Sequence, residues 1–79
     1  MRVFINGCDL SRNEILEMIK KYTKNKKIQN ILTEKVLDGA NAMYLAEKHG
    51  VMGTYPAYEI IKVVAAFEQW VEKHLEAKR

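Results

Sequence analysis

The segment from Lys20 to Lys27 concentrates much of the positive charge of this chain. It holds five lysines and no acid in eight residues, whereas the whole sequence of 79 residues carries a formal net charge of only +3. A cluster of this density can lie on the phosphates of a nucleic acid and release their counterions, which gives a salt-dependent affinity without sequence specificity. The alternative is a solvated helix end, where lysines stabilise the negative pole of the helix dipole. The candidate nucleic-acid contacts are Lys20, Lys21, Lys24, Lys26, Lys27 and, from a later helix, Lys62.

Few other groups in the sequence could do chemistry. The single cysteine, Cys8, excludes an internal disulfide framework and points to a reducing, cytoplasmic location. His49 and His74 have no further ligand at the spacing of a zinc site, so no metal site is predicted. The sequence contains no glycine-rich phosphate loop, no acid–base carboxylate pair and no serine elbow. We therefore expect no cofactor, no small-molecule substrate and no enzymatic activity, unless Cys8 acts as a nucleophile.

The length and composition predict one small globular domain over residues 1–79. Hydrophobic residues make up 48% of the chain and charged residues 29%, which is typical of soluble rather than disordered proteins. No apolar run approaches the ~20 residues that span a bilayer. Residues 1–7 break too early to form the apolar part of a signal peptide. We therefore expect no contact with a membrane.

Turn and cap signals predict the elements of the N-terminal third. Asn6-Gly7 suits a two-residue turn and predicts a β-hairpin over 2–10. Ser11 and Glu14 have the spacing of a capping box, in which each side chain bonds the backbone amide of the other residue. Apolar residues recur behind this box at helical spacing, so the first helix is predicted over 12–24.

Three further helices are predicted from the same kind of signal, at 27–37, 42–49 and 57–78. The last would be about 33 Å long at 1.5 Å per residue. Apolar residues at 28–36 also allow a strand, and 57–66 is the second segment where helix and strand compete. The predicted fold class is mainly α, a small four-helix domain with a short N-terminal β-hairpin.

The middle of the chain contains a second motif. Val36-Leu37-Asp38-Gly39 has the form of a helix end, and Leu45-Ala46 followed by Gly50-Val51 that of a short helix and its turn. Residues 36–51 thus resemble the helix-turn-helix of transposase-type and resolvase-type DNA-binding proteins. The resemblance implies a helix-turn-helix-like core in a small regulatory protein that binds DNA. The sequence departs from this pattern at residues 52–56, which lengthen the turn, and in the next helix, which opens with one acid and one base.

A different resemblance concerns Cys8. Cys8-Asp9-Leu10-Ser11 is similar to the Cys-x-x-Ser of monothiol glutaredoxins, and the residues leading to Pro56 are similar to the approach to that family's cis-proline. This resemblance implies a thioredoxin-like fold with Cys8 as the nucleophile and Pro56 facing it. The fold needs two strands after the proline, but residues 58–67 contain no turn residue and have a helical period.

A third hypothesis rests on the long C-terminal helix. Its apolar face is broad enough for both a core and a partner, which favours a homodimer or a protein-interaction module. Such a module could be an inhibitor or adaptor, as small phage-encoded proteins often are. The candidate partner contacts are Tyr58, Trp70, Lys73 and His74.

Overall fold

A two-stranded hairpin and four α-helices make up the fold. The computed structural model describes residues 2–5 and 7–77. The strands are β1 (Arg2–Ile5) and β2 (Cys8–Ser11), and the helices are α1 (Arg12–Tyr22), α2 (Lys26–Leu32), α3 (Ala42–Lys48) and α4 (Pro56–Ala77). A π-helical turn, Thr33–Leu37, continues α2. The predicted fold class, mainly α with a short N-terminal hairpin, is confirmed.

The hairpin and the start of α1 follow the local signals of the sequence. β1 and β2 are antiparallel, and Ile5 pairs with Cys8, so two residues connect the strands. Gly7 has a φ of 83°, as the predicted turn requires, while Asn6 lies outside the described residues. The Ser11 hydroxyl accepts a hydrogen bond from the Glu14 amide at 3.3 Å, and the Ser11 amide donates to the Glu14 carboxylate at 3.0 Å. The capping box is therefore confirmed, and β2 ends at Ser11, one residue beyond the predicted hairpin.

α1 ends two residues earlier than predicted, at Tyr22 instead of residue 24. Thr23 has extended backbone angles, φ −149° and ψ 148°, which stop the helix. The Thr23 carbonyl accepts a hydrogen bond from the Gln29 side chain at 2.8 Å, and its hydroxyl accepts one from the Asn25 amide at 3.1 Å. Lys24 therefore lies in the connection between α1 and α2, outside the helix in which it was predicted.

Residues 28–36 are helical, so the strand alternative for this segment is wrong. The helix predicted over 27–37 is present, but it begins one residue earlier, at Lys26, and its last five residues widen into the π-helical turn. The Thr33 hydroxyl donates to the Gln29 carbonyl at 2.8 Å at the point where the regular helix ends. Hydroxyls that bond back to the preceding turn in this way compete with the helical backbone bonds.

α3 begins and ends close to its predicted bounds of 42–49. The Asn41 side chain accepts hydrogen bonds from the backbone amides of Met43 and Tyr44, at 2.8 and 3.3 Å. At the other end Gly50 has a φ of 66°, and the Val51 amide donates to the Ala46 carbonyl at 2.8 Å. This bond closes a Schellman-type cap, which favours glycine because a Cβ is strained at positive φ.

α4 is one continuous helix, so residues 57–66 are helical and the strand alternative is wrong here too. It begins at Pro56, one residue before the predicted start, and the predicted end at residue 78 lies outside the described residues. The two strands that a thioredoxin-like fold needs after the proline are replaced by this helix, and the described chain contains no cis peptide bond. The fold therefore differs from the one implied by the glutaredoxin resemblance of Cys8, which is half-buried in β2.

The core forms where α1, α2 and α3 pack on α4. Ala46 of α3 is 1% exposed, as the close approach of α4 requires. The Phe67 ring meets the Tyr22 ring edge to face, with centroids 5.3 Å apart. The largest fully buried side chains are Phe67, Ile15, Ile31, Leu32, Leu45, Ile60 and Val71.

Candidate nucleic-acid interface

The five clustered lysines all lie exposed at the junction of α1 and α2. Lys20 and Lys21 are in the last turn of α1, Lys24 is in the connection, and Lys26 and Lys27 are in the first turn of α2. Within the described part of the chain, none of the five forms an ion pair. We refer to Lys20, Lys21, Lys24, Lys26 and Lys27 as the basic surface.

Helix dipoles account for only part of the basic surface. Lys20 and Lys21 lie at the negative pole of α1, where cations are favourable. Lys26 and Lys27 lie at the positive pole of α2, and the first turn of that helix carries no acid. A cation at this pole is unfavourable by a few tenths of a kcal/mol or more. The stability of α2 therefore does not explain these two lysines.

A groove runs along α4 beside the basic surface. It consists of two adjoining cavities of about 550 and 430 Å³, both lined by Ile28 of α2 and by Glu59 and Val63 of α4. The larger cavity extends to Tyr22 at the end of α1, and the smaller one to the connection 50–52 between α3 and α4. We refer to these two cavities together as the α2–α4 groove.

The lining of the α2–α4 groove is mostly apolar, and its charged residues are two lysines and one acid. Lys27 of the basic surface lines the smaller cavity from α2, and Lys62, the predicted contact on the later helix, lines the larger one from α4. Glu59 is the one acid among the lining residues, and its carboxylate lies 4.0 Å from the Lys62 ammonium. The Lys62 ammonium also lies 5.7 Å from the centroid of the Tyr58 ring. The sequence did not reveal this groove, because its walls come from segments far apart in the chain.

Large exposed apolar side chains are concentrated in one part of the chain. Of the seven among the described residues, only Phe4 lies outside residues 43–61. Tyr58, a predicted partner contact, is 58% exposed, and Ile61 follows it by one helical turn at 51%. The other four are Met43, Tyr44, Met52 and Tyr55.

Two of the remaining predicted partner contacts lie in an aromatic cluster at the other end of α4. Trp70 is half-buried and meets the Tyr22 ring edge to face at 5.4 Å. His74 is also half-buried and stacks on Trp70 at 4.9 Å. The His74 Nε2 is buried and makes no hydrogen bond to the residues described. Lys73, the third predicted contact at this end of α4, is exposed, whereas Trp70 and His74 are half-buried. The larger exposed apolar surface therefore lies at the start of α4.

An ion-pair cluster ties α3 to the π-helical turn. The Glu34 carboxylate accepts hydrogen bonds from the Lys48 ammonium and from His49 Nε2, the latter at 2.6 Å. The hydrogen bond from Lys48, followed by the one from His49, lowers the pKa of Glu34 below its ordinary value of 4.5. The same bond to Glu34 raises the pKa of Lys48. Lys48 and His49 are therefore engaged within the molecule and are poor candidates for ligand contacts.

The helix-turn-helix prediction is matched only in its first part. The turn at Gly50 has the expected backbone, but residues 49–55 separate α3 from α4, and a helix-turn-helix uses three or four. The exposed face at the start of α4 carries Tyr58, Ile61 and Lys62, which offer one cation and little that could read base edges. No family model, no curated protein and no solved structure matches this chain.

Two features are absent from the described residues, a membrane-spanning helix and a cluster of metal ligands. None of their helices combines the length and the apolar character needed to cross a bilayer. They also contain no group of three or more His, Cys, Asp or Glu residues placed to hold a metal ion. The basic surface and the α2–α4 groove are thus the two features that best define a candidate site.

Proposed function

We propose that this protein binds nucleic acid through phosphate contacts made by its basic surface. The observation that carries the proposal is the placement of five exposed lysines, without an ion-pair partner among the described residues, at a single helix junction. Two of them, Lys26 and Lys27, lie where they weaken their own helix. Residues that break a local rule without a structural gain mark functional sites more often than chance positions do.

Contacts of this kind position a nucleic acid without reading its sequence. Each lysine that neutralises a phosphate releases condensed counterions, so the binding constant falls as salt rises. Base recognition needs bidentate side chains such as Arg, Asn or Gln that reach the base edges. The start of α4 presents tyrosine and isoleucine instead, so we propose a regulatory role based on backbone contacts, with little sequence preference.

The salt dependence of binding tests this proposal. We expect the double variant Lys26→Gln/Lys27→Gln to bind an oligonucleotide about tenfold more weakly at low salt. The slope of log K against log salt should become shallower by roughly 1–2, because two phosphate contacts are lost. Fluorescence anisotropy of a labelled oligonucleotide over a salt series measures both quantities.

A variant with the same net charge supplies the control. Lys35→Gln/Lys73→Gln removes two lysines outside the basic surface; Lys35 lies on the π-helical turn and Lys73 near the end of α4. It should keep the slope of the unmodified protein. Equal losses in both variants would mean that binding follows net charge alone, and the absence of any binding at low salt would reject the proposal.

Protein binding is a second candidate function, favoured by the exposed apolar residues at the start of α4. We propose that the stripe formed by Tyr58, Ile61 and Ala65, all exposed, packs against a second copy of this chain. The stripe is uncharged, so two copies can meet there without the repulsion that their basic surfaces would cause. A two-fold contact of this kind must be complementary to itself.

Mass in solution tests the second candidate. We expect the mass measured by sedimentation, without nucleic acid, to rise with concentration towards that of a dimer. Ile61→Lys should abolish the rise, because it buries an unpaired charge in the contact. Phe4→Lys, at a side chain that is 73% exposed outside the stripe, should not. A constant monomer mass at the highest concentration would exclude self-association through this stripe.

A further inference from the structure

Given the proposed binding of nucleic acid, the lining of the α2–α4 groove indicates which class of nucleic acid binds. We infer that the ligand is single-stranded, with its phosphates on the basic surface, a base in the groove and a second base stacked on Tyr58. A groove that tracks the backbone with positive charge and offers aromatic faces to the bases is the general design of single-strand binding proteins. Lys62 lines the groove and its ammonium lies 5.7 Å from the centroid of the Tyr58 ring, so a cation and an aromatic face lie side by side on α4.

The apolar lining of the groove is the first argument. Ile28, Val63 and Ala66 line it with apolar surface, which a phosphate chain cannot use. A duplex keeps its bases paired inside and presents phosphates and groove edges, whereas a single strand can turn its unstacked bases outwards. The two cavities, of about 550 and 430 Å³, are open to solvent, so an unstacked base could reach this apolar surface from outside.

The position of charge around the groove is the second argument. Lys27 lines the smaller cavity and Lys62 the larger one, and the basic surface continues beyond Lys27 along the α1–α2 junction. Glu59 lies among the lining residues of both cavities. Its half-exposed carboxylate lies 4.0 Å from the Lys62 ammonium and can accept hydrogen bonds from base amino groups. The basic surface therefore offers contacts to the phosphates of the strand, and the groove offers contacts to its bases.

The exposed tyrosines are the third argument. The Tyr58 ring is 58% exposed and lies 5.7 Å from the Lys62 ammonium, so one residue can stack a base while its neighbour meets the adjoining phosphate. Tyr55, three residues earlier, is 71% exposed and supplies a further face. Stacking of a base on an aromatic side chain tolerates every base, which agrees with a surface that has few groups for reading base edges.

The test compares a single strand with a duplex at one salt concentration. We expect a labelled oligothymidylate of about 12 nucleotides, within the range of known single-strand sites, to bind about tenfold more tightly than a duplex of equal length. Tyr58→Ala should weaken the single strand about tenfold and leave the duplex unchanged. Tyr58→Phe, which keeps the ring, should restore the affinity. Circular dichroism of each variant verifies that the helices are intact.

Tyr44→Ala is the matched control. Tyr44 is 54% exposed on α3 and has the Lys48 ammonium 5.8 Å from its ring. Lys48 is bound to Glu34 and does not line the groove, whereas Lys62, the lysine beside Tyr58, does line it. This variant should bind the single strand as the unmodified protein does. Equal affinity for strand and duplex, with the lysine dependence intact, would overturn the inference and leave the proposed function standing. Binding of neither nucleic acid would reject the proposed function itself.

Discussion

Replacing Phe67 by alanine is expected to lower the free energy of unfolding by about 3–5 kcal/mol, the usual cost of removing a buried aromatic ring. Phe67 is 0% exposed, and its ring contacts Tyr22 of α1 from the middle of α4. The substitution leaves a cavity between two helices that depend on each other for burial. Since a chain of this length has roughly 4–12 kcal/mol of total stability, the loss is roughly a quarter of it or more, and the variant should unfold at a clearly lower urea concentration.

The other phenylalanine of the chain provides the comparison. Phe4, on β1, is 73% exposed, so Phe4→Ala removes little buried surface and should change the free energy of unfolding by about 0.5 kcal/mol or less. Urea denaturation followed by circular dichroism measures both variants. Similar costs for the two would show that α4 does not pack on α1 through Phe67.

The second large effect is expected at Glu34. Glu34→Gln should lower the free energy of unfolding near neutral pH by up to about 1 kcal/mol, because the hydrogen bonds from Lys48 and His49 to the carboxylate are lost and solvent screens the half-exposed Lys48. Glu34 holds the end of α3 against the π-helical turn, and its side chain is only 21% exposed. Glu47→Gln, on the exposed face of α3 and outside any ion pair of the described residues, should have little effect.

The pH dependence of stability should change in the same variant. The pKa of Glu34 is lowered on folding, so the unfolded chain binds a proton at a higher pH than the folded chain does. The contribution of Glu34 is therefore fully present above its ordinary pKa of 4.5 and is lost as the pH falls through the lower pKa of the folded state. Between about pH 6 and about pH 3, the unmodified protein should lose more stability than Glu34→Gln. Parallel pH profiles of the two proteins would contradict this account.

The helix starts were predictable because each depends on residues within one turn of the chain. Ser11 with Glu14, and Asn41, bond to amides two or three positions away, so the pattern of residue types is sufficient. Gly50 ends α3 for an equally local reason, its positive φ. The period of the apolar residues in α4 favoured a helix over the two strands of the thioredoxin-like alternative, and the structure decided between them.

The predicted helix bounds were wrong where hydrogen bonds from side chains decide the course of the backbone. α1 ends at Tyr22 because Thr23 is held by Gln29 of the next helix. The π-helical turn accompanies the bond of Thr33 to Gln29, which no period of apolar residues indicates. The environment of Trp70, a predicted partner contact, also depended on a distant residue, because its ring packs on Tyr22 of α1.

The amino-acid sequence by itself determined the helix caps, the helical class and the density of lysines between residues 20 and 27, since these depend on residue types and short spacings. Only the tertiary structure decided which residues share a surface. The α2–α4 groove exists because Ile28 of α2 and Val63 of α4, which are far apart in the sequence, line the same cavity when the helices pack around a core that contains Phe67. The volume of this groove depends on how α1, α2 and α4 lie against each other. The burial of side chains throughout the core determines the positions of these helices.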